Sequence, residues 1–199
     1  LYSSELNLDV KIGFCESFYR DLGLPAVFKM TEASTPADLD ARLDSFGYRI
    51  DSPTFVQTLD LGVEKHEIPS GVDLTTADTE VWHEAFARMN NVGPDRRATH
   101  EHILHAILPD KCYVSISEDG HIIGCGLGVL QGCFIGIFDI VIDPDYRRQG
   151  HGRRLMNALL AWGQKNKANA AYLQVMCNNA PALRLYKKLG FQEKYQYWY

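Results

Sequence analysis

Apolar positions along the chain follow two periods, and the switches between them mark the predicted elements. Between Asp9 and Leu22, the residues Val10, Ile12, Phe14, Phe18 and Tyr19 recur near helical spacing, and Gly23-Leu24-Pro25 stops the run. Ala26–Met30 predicts a short strand. Pro36 opens a second helix through Leu39 and Leu43, closed by Gly47 at a left-handed C-terminal position. Tyr48–Ile50 and Thr54–Leu61 predict two strands around the turn Asp51-Ser52-Pro53. From Val63 to Asp73 the period disappears among Gly, Pro, Ser and charges, as in a linker. Helices are then predicted at 78–90 and 97–108, and strands at 113–117, 122–130 and 134–142. Asp119-Gly120 forms the first hairpin turn and Gln131-Gly132 the second. Next comes a helix with Leu155, Leu159 and Trp162 on one face. A strand at 171–176, a helix at 181–189 closed by Gly190, and an aromatic strand at 192–199 complete the order ααβββαβαβ.

The two ends resemble each other in outline. Helix, strand, Pro-started helix, Gly-aromatic step and strand occur at 9–61 and again at 150–199. Phe46-Gly47-Tyr48 parallels Leu189-Gly190-Phe191, and Leu24–Met30 parallels Asn169–Val175. The Pro-to-Gly spacing differs between them, so two ordinary α/β units remain the alternative. The organisation expected is an α/β fold with an N-terminal segment at 1–63, a linker at 64–74 and a main domain at 75–199.

Composition narrows the function classes. The 199 residues are 46% hydrophobic, and 20 Lys and Arg against 25 Asp and Glu give a net charge of −5. That balance argues against a nucleic-acid binder, which carries a basic face. No apolar stretch approaches the roughly 18 residues of a membrane span, and Leu1–Glu5 lacks the basic and apolar regions of a leader. Cys15, Cys112, Cys125, Cys133 and Cys177 are odd in number and form no C-x-x-C pair, which suggests a reducing, cytoplasmic setting. Leu1 in place of Met fits a fragment or a processed chain.

One segment stands out chemically. Arg147-Arg148-Gln149-Gly150-His151-Gly152 is a glycine-rich turn opening into a helix. Such a turn offers main-chain N–H groups and the positive end of a helix dipole to an anion. It is neither a P-loop, which needs Gly-Lys-Ser/Thr, nor a dinucleotide fingerprint, whose third glycine is replaced here by Leu155.

The surroundings of this turn carry a resemblance. Ile140–Gly152, with Asp143-Pro144 between strand and turn, is similar to motif A of the GNAT superfamily of N-acetyltransferases. Asn179-Ala180-Pro181-Ala182-Leu183-Arg184-Leu185-Tyr186-Lys187-Lys188-Leu189-Gly190-Phe191 resembles that family's motif B. The likeness covers about 75–199, and ααβββαβαβ is the family's order. It implies a mixed sheet flanked by helices and splayed at its centre between strands 134–142 and 171–176. The N-terminal segment would then be a partial, degenerate GNAT-like half, because Leu43 stands where Tyr186 does and no such turn precedes residue 74.

The resemblance also implies a site. Acetyl-CoA would be the co-substrate, with no metal. Its pantetheine would lie along the main chain of Ile140 and Ile142, its diphosphate on Arg147, Arg148, Gln149, Gly150, His151, Gly152 and Arg153, and Asn179 would hold the pantetheine region. The oxyanion donor would be the N–H of Val141 or Ile142, and Tyr186 the general acid that protonates the thiolate. Attack by an amine needs a proton acceptor. Asp139 is the candidate base, with a water chain or Glu84 as alternatives, because Gly136 stands where some relatives carry Glu.

Several features allow a plainer reading. His100, His102 and His105 do not form H-E-x-x-H and read as a solvated or substrate-side helix face. Trp82, Phe86 and Met89 at helical spacing read as core, although with Asn90 they also suit an acceptor wall. Gly124, Gly126 and Gly128 admit either a ligand or a packed helix. Tyr195–Tyr199 borders either the acceptor or a homodimer interface. The function expected is acetyl transfer to a primary amine, on a small molecule or a peptide. The alternative is a non-catalytic acyl-CoA-binding sensor, for which Tyr186 would be superfluous.

Overall fold

A computed structural model describes residues 6–62 and 64–199. The leader reading of Leu1–Glu5 and the linker residue Val63 lie outside the described residues. The chain divides into two units, one of 1–53 with 197–199 and one of 54–196.

The larger unit holds a sheet in the order β8-β2-β7-β6-β5-β4-β3. Its strands are β2 (Thr54–Asp60), β3 (Asp73–Thr75), β4 (Lys111–Glu118), β5 (His121–Gln131), β6 (Phe134–Ile142), β7 (Ala170–Met176) and β8 (Gln192–Trp198). β6 and β7 run parallel, whereas β2–β7, β3–β4, β4–β5 and β5–β6 are antiparallel. The helices are α3 (Glu80–Met89), α4 (Pro94–His105), α5 (His151–Lys165) and α6 (Ala180–Lys188). The order and the mixed, helix-flanked sheet match the expected fold. The hairpin turn takes the left-handed pair its sequence demanded, with Asp119 at φ 49° and Gly120 at φ 79°.

Two boundaries differ from the sequence reading. The strand at 54–60, assigned there to the N-terminal segment, pairs along its whole length with β7, from Thr54↔Met176 to Asp60↔Ala170. The end of the expected linker forms β3 against β4. The rest is tied down by side chains: Gln164 donates to the carbonyls of Leu61 and Glu64, and Arg154 to those of Ser70 and Gly71. Polar composition signalled irregular backbone there, but could not signal which distant donors would hold it.

The core explains the alternate glycines of β5. α5 buries Leu155, Met156, Leu159, Leu160 and Trp162 against the sheet. A Cβ at Gly124 would lie 2.6 Å from Ile142 Cδ1, one at Gly126 2.6 Å from Ile140 Cδ1, and one at Gly128 3.0 Å from Leu159 Cδ2. These glycines admit the side chains of β6 and the packed helix, so the close neighbour is protein rather than ligand. The opposite face packs Trp82, Met89, Leu104, Tyr113, Leu127 and Val141 beneath α3 and α4.

The smaller unit contains α1 (Leu8–Asp21), β1 (Met30–Thr31) and α2 (Leu39–Ser45). Of the strand expected at 26–30 only its last residue is in β1, which pairs Met30 with Trp198 and Thr31 with Tyr197. Tyr48–Ile50 is not a strand, though Asp51 exchanges both main-chain hydrogen bonds with Tyr199. Ile12, Met30 and Leu43 form its buried centre, and Trp198 Nε1 donates to Asp40 at 3.0 Å.

Candidate active site

The site begins where β6 leaves β7. Their parallel register runs from Phe134↔Ala170 to Ile137↔Leu173 and stops, although both strands continue. On its other edge β6 slips against β5: Leu127 faces Phe138, yet Cys125 faces Val141, so β6 carries one extra residue there. Such a bulge bends a strand and re-aims its side chains. Asp139 sits in it at φ 54°, a left-handed conformation that Asp tolerates better than most residues.

The bulge also sets which main-chain groups are available. Asp143 N–H donates to Ile123 C=O at 2.9 Å, and hydrogen-bonding directions alternate along an antiparallel pair. Val141 therefore turns its polar groups to β5, whereas Ile140 and Ile142 turn theirs to the widening gap. Of the two expected oxyanion donors, only Ile142 faces that gap, and Ile140 joins it. The Ile142 carbonyl accepts from Arg147 Nε at 3.0 Å, so this arginine begins its reach on the strand itself.

After β6, Asp143 caps the short 3-10 helix Pro144–Tyr146 by accepting from Asp145 N–H. Arg88 at the end of α3 pairs with Asp143 at 2.7 Å and holds its carboxyl below the usual carboxylate range. Arg148 at φ 65° and Gly150 at φ 88° then turn the chain into α5, whose first turn has no side-chain cap. An uncapped helix start leaves N–H groups for an anion. Gln149, Gly150 and the side chains of Arg148 and Arg153 are exposed around it.

Gly152 and His151 have further duties. A Cβ on Gly152 would lie 3.2 Å from Leu185 Cδ2, so this glycine lets α5 start close beneath α6. His151 Nδ1 lies 3.2 Å from Arg154, and its Nε2 is buried without a hydrogen-bond partner.

α6 brings the two motif B residues. Asn179 caps the helix, its Oδ1 accepting from Ala182 N–H at 3.3 Å and leaving its amide NH2 available. Tyr186 is buried beside Phe191, with ring centroids 5.9 Å apart, and burial pushes its phenol up to about 12.

The structure supplies a partner for Asp139 that the sequence did not reveal. His100 Nε2 on α4 lies 3.0 Å from Asp139 Oδ2. Burial raises the Asp139 pKa, and the neighbouring His100 partly offsets that rise. The His100 ring stacks on Phe86 at 4.5 Å, and Phe86 stacks on Trp82 at 5.5 Å, so one face of the imidazole rests on an aromatic stack. The two residues are 39 positions apart, and only the crossing of α4 over the bulge joins them. The one signal in the sequence was the histidine-rich face of α4, read there as solvated or substrate-side. His102 is indeed exposed, while Trp82 and Met89 are core as expected.

Of the other base candidates, Glu84 is exposed on α3, and Asn90, expected in an acceptor wall, is exposed just past the end of that helix. A side chain at Gly136 would meet Phe138 Cε2 at 2.6 Å and Tyr172 Oη at 2.7 Å, so aromatic rings fill the position where some relatives carry Glu. Among the described residues, no group of three or more His, Cys, Asp and Glu is placed to hold a metal ion.

A sheet opened between two parallel strands, beside an uncapped helix start, defines an acyl-CoA-type transferase fold. A family profile described as "Acetyltransferase (GNAT) family" matches residues 78–191. The chain belongs to the GNAT family of acetyltransferases, enzymes that in general use acetyl-CoA as co-substrate. An uncharacterized N-acetyltransferase, YobR of Bacillus subtilis, is 28% identical over 180 residues, which is 88% of this chain and 72% of that protein. The [ribosomal protein bS18]-alanine N-acetyltransferase of Escherichia coli is 44% identical over 57 residues, 29% of this chain and 38% of that protein. A GCN5-related N-acetyltransferase from Sphaerobacter thermophilus superposes with a TM-score of 0.73 at 19% identity, covering 96% of this chain. The chain spans 65% of that solved chain.

Proposed function

We propose that this chain transfers the acetyl group of acetyl-CoA to a primary amine by direct attack in a ternary complex. The observation that carries the reading is the position of the Asp139–His100 pair. Asp139 lies in the bulge of β6, and the gap-facing amides beyond it lead outward to the uncapped start of α5.

In this reading the diphosphate sits on the amides of 149–152 with Arg148 and Arg153 beside it, and Arg147 and His151 border it. Pantetheine follows the β6 main chain inward, with the Asn179 amide against it, so the thioester comes nearest Ile140. The Ile140 N–H, and Ile142 one step outward, are the donors for carbonyl and pantetheine oxygens; an amide aimed at a developing oxyanion is worth several kcal/mol. The amine nitrogen attacks the carbonyl carbon, the carbon–sulfur bond breaks, and Tyr186 protonates the leaving thiolate. A phenol kept fully protonated by burial is in the state that this step needs. The amine's own proton goes to the Asp139–His100 pair.

The acceptor is a small-molecule or peptide amine. Because one relative is named for the alanine of ribosomal protein bS18, peptides with a free N-terminal alanine belong in the assay beside metabolite amines. Thiol release from acetyl-CoA with such a panel tests the proposal. Wild type should turn over with at least one amine, and Tyr186→Phe should lower kcat about a hundredfold. Stabilisation by acetyl-CoA with no turnover on any amine would instead favour a sensor.

A further inference from the structure

A second His–Asp assembly lies beside the first in the same layer. Asp78, in the loop before α3, faces two imidazoles: its Oδ1 meets His83 Nε2, and its Oδ2 lies 3.0 Å from His105 Nε2. The His83 side chain is 4% exposed and that of His105 is 64% exposed, so the assembly runs from core to surface. The His83 ring stands between the two pairs, 6.5 Å from the His100 ring, 6.1 Å from His105 and 6.1 Å from Tyr113.

This layer is incompletely satisfied. His83 Nδ1 is buried without a hydrogen-bond partner, and the buried Tyr113 hydroxyl lies against Asp78. Burial, with Asp78 beside it, pushes the Tyr113 phenol up to about 12. An unpaired buried polar atom costs about 1–3 kcal/mol. Internal water with two to four polar partners is how proteins usually satisfy such atoms.

The reaction creates a need here. A protonated primary amine loses two protons on becoming an amide. One replaces the proton that Tyr186 gives to the thiolate, and the other must reach solvent in every turnover. Resting on the transfer reading above, we propose that His83, Asp78 and His105, joined by internal water, are the exit that carries this proton from Asp139–His100 to the surface.

The charged and titratable groups around the path come from every element packed on it. They are Asp78 from the loop, His83 from α3, His100, Glu101 and His105 from α4, Tyr113 from β4, Cys125 from β5 and Asp139 from β6. Arg97 neutralises Glu101 at 2.6 Å, and the buried Cys125 thiol, raised to about 12, stays uncharged. The ionisable groups left to exchange a proton are the two carboxylates and three imidazoles. A purely structural role for Asp78, tying α3 to α4, would leave proton movement untouched.

The test uses the full chain with a primary amine acceptor. His105→Gln changes an exposed side chain and should fold normally, and Asp78→Asn removes the bridge. Each should lower kcat about tenfold or more with the KM for acetyl-CoA unchanged, and enlarge the solvent deuterium effect. Imidazole in the buffer should restore His105→Gln but not Tyr186→Phe. An active wild type whose two variants keep its kcat and isotope effect would overturn the exit. An inactive wild type would overturn the transfer reading instead.

Discussion

Asp139 occupies a position that costs stability. A carboxyl whose folded pKa is raised above its unfolded value of about 3.9 destabilises the native state at pH above the folded value. That penalty vanishes below the unfolded value. Asn accepts the left-handed φ of 54° at least as well and has no charge to desolvate. Asp139→Asn should therefore melt higher than wild type at neutral pH, with the advantage shrinking as pH falls toward 4, while activity drops. Differential scanning calorimetry from pH 4 to 8 measures this directly. A lower melting temperature at neutral pH would mean that the His100 pair outweighs desolvation. Asp143 has the opposite sign: its lowered pKa adds stability above the unfolded value, and acid removes it.

At the scale of elements, α5 does two jobs at once. Its amphipathic face is the core, and its start is the anion site. Leu159 is fully buried and packs against the Cβ-free backbone of Gly126 and Gly128. Leu159→Ala should cost about 3 kcal/mol in urea unfolding, within the range for cavities in packed cores. A loss below about 1 kcal/mol would show that the helix closes the void. The turn before α5 should behave differently. Arg148→Glu and Arg153→Glu, both at exposed positions, should leave the urea midpoint unchanged yet weaken coenzyme A about tenfold or more by titration calorimetry. Unchanged affinity in the double variant would place the diphosphate elsewhere.

Across the whole molecule, the two units differ in how much they bury. The larger has two packed layers, one under α5 and one under α3 and α4. The smaller centres on Ile12, Met30 and Leu43, while α1 leaves Val10, Phe14 and Phe18 more than half exposed. The periodicity of α1 was legible, but not which side of it would be covered. Among the described residues, no helix is long and apolar enough to cross a membrane.

Legibility followed the locality of each cause. Helix α5, the Asp119-Gly120 hairpin and the Gly150 turn are specified by neighbours in sequence, and their presence and order were readable. The 54–60 strand was recognisable as a strand, but its partner β7 lies over a hundred positions away and moved it into the other unit. Asp139 was visible as a carboxylate in an apolar strand. Its bulge and its histidine were not, because the bulge depends on register with β5 and His100 on the crossing of α4. The choice between Val141 and Ile142 also needed the register, since hydrogen-bonding direction flips at every residue.

The central claim is that an amine is deprotonated and acetylated at the Asp139–His100 pair. The pH dependence of kcat/KM for the amine tests it most directly, comparing wild type with Asp139→Asn and His100→Gln. Wild type should show a rising limb set by the coupled pair, and both variants should lose that limb together with about a hundredfold in rate or more, at unchanged affinity for acetyl-CoA. Two variants that retain the wild-type rate and the wild-type limb would place the base somewhere else.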